Sequence, residues 1–296
     1  LKWSIHGPVL ELNHGTYAIR YAGMNEIRQI EQWFRMNKAT SFNEWEDAIK
    51  LRYIPSLNCM YADAEGNIFY IYNASFPKRN SKYNWRDYLP GNTSESLWSE
   101  LEDYEFLPKL LNPETGFLQN CNSTPFRTTE GNDNPSKKDF PIELGIEEYM
   151  TNRSLRAIEM FKDDKVISMN DIFNYKFDMT YSENSAIAKY REEILNADLP
   201  INDPVINEAV NVLKNWDLKT NPENKGAALA ILSTKPYLKD YYEKINENEL
   251  IEHFVNAAKF LKKKYGEIDV SWNNVNRMIR GDHSYGLGGG PDVMHS

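Results

Sequence analysis

The chain has 296 residues, of which 41% are hydrophobic, 13% aromatic and 26% charged, with a formal net charge of −9. This mixture is too apolar for disorder and too often interrupted by charge for a membrane span, and the length holds one large core or two smaller ones. The negative balance argues against a nucleic-acid groove, because phosphate binding needs clustered cations and the run Lys262–Lys264 stands alone.

In chain order, residues 24 to 38 place Ile27, Ile30 and Phe34 at helical spacing. Ser41 to Glu44 has the order of a capping box ahead of Trp45, Ala48 and Ile49. Pro55 ends any helix. Leu57 to Ala62 and Ile68 to Asn73 are apolar, aromatic-rich runs separated by Asp63 to Asn67, where Gly66 can take a positive φ, and together they predict a β-hairpin. Residues 75 to 96 read as a long surface loop, 97 to 113 as short helical turns, Gly116 to Cys121 as another strand, and 123 to 141 as a second loop. From 143 the pattern turns helical: 143 to 162, 168 to 178 with Ser168 as N-cap, 183 to 197, 204 to 216, 225 to 243 broken near Pro236, and 247 to 264. The expected division is a mixed α/β portion over 1–142, a mainly helical portion over 143–282, and a glycine-rich tail over 283–296 that does not close a domain by itself.

Chemistry-bearing residues are few. Cys59 and Cys121 have no C-x-x-C spacing and the five histidines no H-E-x-x-H, so structural zinc is not expected; the thiols either pair or stay free. His6 and His283 are candidate bases without a Ser or Asp partner at motif spacing, which leaves no triad. The glycines between Gly286 and Gly290 lack the Lys-Ser/Thr of a phosphate loop and read as a linker or tight loop. Asn120 to Phe126 has the composition of a strand end entering an Asx-type turn. Asn58 sits in an apolar strand, where an amide needs partners: it is either structural or an oxyanion donor. Arg79, after Phe76 and Pro77, is either a surface ion pair or part of a site. The 18 Tyr and 7 Trp raise a glycan-binding face as a rival reading, though much of that aromatic content falls at helical core spacing.

Six stretches, in order and at similar spacing, resemble the β chain of the penicillin acylase family, and especially its branch of acyl-homoserine lactone and aculeacin acylases. They are SIHGPV at Ser4–Val9; PSLNCMYAD at Pro55–Asp63 with GNI at Gly66–Ile68; FPKR at Phe76–Arg79; LNPETG at Leu111–Gly116 leading into QNCN at Gln119–Asn122; LKNWD at Leu213–Asp217 with GAA at Gly226–Ala228; and Trp272–Asp282 closing on GGGPD at Gly288–Asp292. The resemblance implies an N-terminal nucleophile hydrolase, an αββα sandwich matured by autocleavage so that a Ser opens the β chain and its α-amine acts as base. It implies that Asn58 donates to the oxyanion and that Arg79 helps position the site. The nucleophile should lie well upstream of His6-Gly7-Pro8, so it is not in this chain: Leu1 has no hydroxyl and Ser4 stands beside the wrong motif.

The expectation is therefore α+β: part of such a sandwich, with antiparallel strands and a largely helical second half, read as an internal fragment lacking the α chain and the rest of the β chain. The parent should be an amidohydrolase that cleaves a linear amide between an acyl group and an amine, with an acylated small molecule as substrate, and the fragment alone should be inactive. No cofactor is expected; the resemblance admits calcium in the intact parent, but Asp63 and its neighbours form no ligand set. The family's location points to the periplasm or secretion. The alternative is a non-catalytic homologue or a cell-envelope ligand-binding module.

Overall fold

In the computed structural model the described residues are 2–234 and 246–295, which leaves the expected helix break near Pro236 outside them. The chain divides into two compact units, Leu1–Glu148 and Tyr149–Ser296.

The first unit opens with an antiparallel meander of β1 (Lys2–Ser4), β2 (Gly7–Leu12) and β3 (Gly15–Ala18), which hydropathy alone did not suggest. Gly7 makes it feasible: its φ is +132°, and a Cβ there would lie 2.0 Å from the carbonyl oxygen of Ile19. Next come α1 (Gln29–Lys38) and α2 (Phe42–Lys50). The apolar residues at helical spacing point to solvent, with Ile30 on α1 81% exposed and Ile27, just ahead of the helix, 88% exposed. The buried residues of α1 are Gln32 and Met36. A polar clamp sets this orientation. Gln32 Oε1 accepts from the Ile54 backbone N–H at 2.9 Å, while Asn73 Nδ2 donates to the carbonyl of the same Ile54 at 3.1 Å. The remaining amide atoms, Gln32 Nε2 and Asn73 Oδ1, are a buried donor and a buried acceptor with no partner. On α2 the sequence signal is local and sound: Ser41 Oγ accepts from Glu44 N, and Trp45, Ala48 and Ile49 are buried. The Glu44 carboxylate turns back one residue further than a capping box requires, accepting from Thr40 N at 2.7 Å and Thr40 Oγ1 at 2.8 Å.

The predicted hairpin forms as β4 (Ser56–Ala62) and β5 (Ile68–Ala74), and β6 (Lys109–Leu111) adds to the far side of β5 to complete an antiparallel sheet. Alternation divides its faces. Tyr61 and Phe69 meet Phe42 and Trp45 of α2 at ring-centroid distances of 5.0–6.0 Å, and the core of this unit collects there with Ile49, Cys59 and Ile71. The opposite face carries Asn58, Tyr70 and Tyr72. As the central strand β5 is buried on both faces, which is why it reads IFYIYNA with little polar alternation. Two expectations fail here. A strand, β6, lies where helical turns were expected, leaving only a 3₁₀ turn at Tyr104–Phe106. Residues 116 to 121 form no strand, because Gln119 spends its backbone N–H on Thr128 O at 2.7 Å and its side-chain amide on Arg127 O at 2.8 Å within the following loop.

The second unit contains α3 (Asn152–Phe161), α4 (Met169–Lys176), α5 (Ala186–Asn196), α6 (Pro204–Lys214), α7 (Ala227–Thr234), α8 (Glu247–Tyr265) and the short α9 (Trp272–Val275), followed by the hairpin of β7 (Arg277–Arg280) and β8 (His283–Gly286). Side-chain caps start most of them: Thr151, Ser168 with Asp171 in a full capping box, Ser185, Asp203 ahead of Pro204, and Asn246. The first helix starts later than periodicity suggested, because Ile142–Leu144 is a separate 3₁₀ turn stopped by Gly145 in the left-handed region. The α7 segment AALAILST is buried almost all round and packs in one cluster with Ile206, Leu213, Leu250, Phe254 and Leu261. The glycine-rich segment, expected as a tail, belongs to this core. Val293 is fully buried, Trp272 Nε1 donates to Gly289 O at 2.6 Å, and Tyr181 donates its hydroxyl proton to Pro291 O at 2.6 Å. Its glycines allow close packing: a Cβ on Gly288 would meet Met179 Sδ at 2.6 Å.

Candidate functional site

Asn58 projects from β4 on the sheet face that carries Tyr70 and Tyr72. The register sets Asn58 opposite Tyr72 and Met60 opposite Tyr70, so Tyr70 is the diagonal neighbour of Asn58. A tyrosine is long enough to span that diagonal, and the Tyr70 hydroxyl donates to Asn58 Oδ1 at 2.6 Å. Tyr70 is fully buried, and burial pushes its phenol pKa well up, so it stays a proton donor. Among the described residues Asn58 Nδ2 donates to nothing. A half-buried amide whose acceptor is tethered and whose donor is free is the form required for stabilising a developing oxyanion. On the same face, Tyr72 donates to Glu147 Oε2 at 2.5 Å and stacks on Phe76. On the other face Cys59 is buried and free, its thiol pKa pushed up to about 12 by burial.

Arg79 follows β5 in the loop. It forms no surface ion pair: Nη1 donates to Glu143 O at 2.7 Å and Leu144 O at 3.3 Å, and no described carboxylate lies in salt-bridge range. Its Nε is buried without an acceptor, and burial lowers the guanidinium pKa from its ordinary value. The guanidinium carbon lies 5.3 Å from the Trp85 ring centroid. Arg79 lines a cavity of about 660 Å³ with Lys82, Trp85, Arg86, Glu143 and Gly145, and a second of about 290 Å³ with His6, Arg20, Tyr88 and Trp98. Asn58 lines neither, and no hydrogen bond joins it to Arg79. Asn58 lies on the first strand of the hairpin and Arg79 in the loop that follows its second strand.

The other sequence candidates have structural occupations. The backbone N–H of His6 donates to Ser4 Oγ at 3.1 Å, closing the β1–β2 turn, and His283 stacks on Tyr285 at the surface of its hairpin. Asn120 Oδ1 accepts from Asn122 N at 3.0 Å in the expected Asx turn, and Cys121 between them is half-buried. Asp63 is consumed by the hairpin loop, accepting from Glu65 N, Asn67 N, Asn67 Nδ2 and the Tyr61 hydroxyl at 2.8–3.0 Å. Among the described residues no three His, Cys, Asp or Glu side chains group as metal ligands, and no helix is long and apolar enough to cross a membrane. The helical unit has a cavity of about 630 Å³ beside Trp216, but its acids are occupied: Glu208 pairs with Lys262, Asp269 with Lys225, and Asp217 accepts from Asn224. Sequence reasoning missed Tyr70. The available signal was a tyrosine inside a doubly buried strand, whose hydroxyl must find a partner.

The family model for penicillin amidase matches residues 1–284. Penicillin G acylase of Escherichia coli is 31% identical over 126 residues, 41% of this chain and 15% of that protein. The solved structure of thermostable penicillin G acylase from Alcaligenes faecalis, in an orthorhombic form, superposes with a TM-score of 0.64 at 16% identity, covering 97% of this chain and 65% of that one. The chain thus spans less than two thirds of either relative, and the second likeness is one of fold. With nearly its whole length matched, the chain belongs to the penicillin amidase family.

Proposed function

We propose that this chain supplies the oxyanion-stabilising strand of an acylase that hydrolyses a linear amide between an acyl group and an amine, within a larger protein that contributes the nucleophile. In this reading the sheet of β4, β5 and β6 is part of an αββα sandwich. A Ser at a freshly cut N-terminus attacks the carbonyl, with its own amine taking the proton. Negative charge develops on the carbonyl oxygen, and Asn58 Nδ2 donates to it. Arg79 acts on the shape of the site, holding the Glu143–Leu144 backbone against the loop after β5. The substrate is an acylated small-molecule amide, and the protein works in the periplasm or as a secreted enzyme. No cofactor takes part.

The observation that carries this reading is the free Nδ2 of Asn58 opposite a tethered Oδ1. In the intact protein, assayed on a panel of acyl p-nitroanilides, Asn58→Ala should lower kcat by about 10²–10³ while leaving KM within a few-fold. Residues 1–296 alone should give no turnover. An unchanged kcat in the alanine variant sinks the assignment of Asn58, and robust hydrolysis by the isolated chain sinks the placement of the nucleophile.

A further inference from the structure

The Asn58 carboxamide has two ends of opposite chemistry, and only the donor end serves an oxyanion. A carboxamide can rotate by a half-turn at little steric cost, and the wrong orientation would aim Oδ1 at the developing negative charge. Something must therefore choose the orientation. Neither the strand backbone nor Arg79 does so, since neither bonds the Asn58 side chain.

We propose that Tyr70 is a positioning residue for amide hydrolysis: by donating its hydroxyl proton to Asn58 Oδ1 across the β4–β5 diagonal, it turns Nδ2 toward the oxyanion. The inference rests on Asn58 serving as the donor. The hydroxyl selects one orientation because Tyr70 is fully buried and Asn58 Oδ1 is its recorded acceptor. If the amide turned over, the phenol proton would be left buried without an acceptor, the costly state for a polar group. The tether is itself rigid. Tyr70 lies on the central strand with both faces covered, and Met60 opposite it fixes the register. A bond that merely satisfied a buried phenol would affect stability alone; one that orients a catalytic amide also changes turnover.

The test uses the intact protein and the variants Tyr70→Phe, Asn58→Ala and their combination. Phenylalanine keeps the ring and its packing, so the melting temperature should stay close to wild type. Misorienting half of the amides halves kcat, and mobility of the remainder adds to the loss, so kcat should fall about two- to tenfold at nearly constant KM, less than on deleting the donor outright. In the Asn58→Ala background Tyr70→Phe should have no further effect on kcat, because there is no amide left to orient. A wild-type kcat in Tyr70→Phe, alongside a large loss in Asn58→Ala, overturns the proposal while leaving the oxyanion donor standing. A wild-type kcat in Asn58→Ala removes the donor assignment itself. Additive losses in the double variant also overturn the proposal, since they assign Tyr70 an effect independent of Asn58. Should the phenylalanine variant not accumulate, 3-fluorotyrosine at position 70 keeps the ring and hydroxyl and makes the hydroxyl a more acidic donor. A change in kcat at constant KM is then expected, and no change overturns the proposal.

Discussion

Asp292 caps the start of α3 from 140 residues along the chain: its Oδ2 accepts the Asn152 backbone N–H at 2.5 Å. Its own carbonyl accepts from Asn152 Nδ2 at 2.9 Å, and Oδ1 accepts from Arg153 Nε at 3.0 Å. The first turn of a helix exposes unpaired N–H groups and the positive end of the dipole, so a carboxylate there is doubly favourable. Asp292→Ala should reduce the unfolding free energy by about 1–2 kcal/mol. Urea denaturation followed by circular dichroism measures it, and an unchanged midpoint would show that Thr151 suffices as cap.

Gly226 and Trp216, from the two parts of one motif stretch, meet in the helical core. A Cβ on Gly226 would lie 2.6 Å from both Cβ and Cδ1 of Trp216, whose indole N–H is already committed to Lys219 O at 2.8 Å. The tryptophan cannot swing aside without losing that bond, so Gly226→Ala should cost about 1–3 kcal/mol through overpacking. Gly91, where a Cβ meets open space, is the matched control, and Gly91→Ala should stay within about 0.5 kcal/mol of wild type. Thermal melts of the two variants compare them directly.

Cysteine reactivity offers a chemical check on the sheet. With its pKa pushed up to about 12 by burial, Cys59 is thiolate at pH 8 in only about one molecule in 10⁴. Iodoacetamide on the native protein should therefore modify Cys121 and spare Cys59 until urea exposes it. Peptide mapping by mass spectrometry reads both sites, and comparable native labelling would contradict the packing of β4 on α2.

The hairpin loop carries a pH dependence of known sign. Hydrogen bonds, that from the Asn67 side chain foremost, hold the Asp63 carboxyl below its ordinary value of 3.8. The folded state thus favours the ionised form, and its contribution is complete above about pH 5 and fades as pH falls below 3.8 through the lowered value. Asp63→Ala should be less stable than wild type at pH 7, with the gap narrowing by pH 3. Paired urea titrations at the two pH values test this, and a gap that widens in acid would reverse the assignment.

What the sequence revealed was what neighbouring residues decide together. Ser41 and Ser168 cap helices through bonds to residues three positions away, and the β4–β5 hairpin turns on the five residues between its strands. What it concealed depended on distant partners. The face of α1 is chosen by Ile54, the coil at 116–121 by Thr128, and the burial of the glycine segment by Met179, Tyr181 and Trp272. The site divides in the same way. Asn58 was visible as an amide in an apolar strand, whereas its tether to Tyr70 needed the strand register, since the two are diagonal and not opposite.

The amide clamp on Ile54 separates how α1 is held from what α1 displays. A helix moored by Gln32 on one backbone N–H and by Met36 in the core keeps its azimuth whatever its outer face carries, so Ile30 and Phe34 on it, and Ile27 just ahead of it, carry no duty toward the core beneath them. Drift at those three positions can therefore proceed without disturbing the sheet, whereas Gln32, polar and invisible to any hydrophobicity argument, is the position on that helix least free to vary.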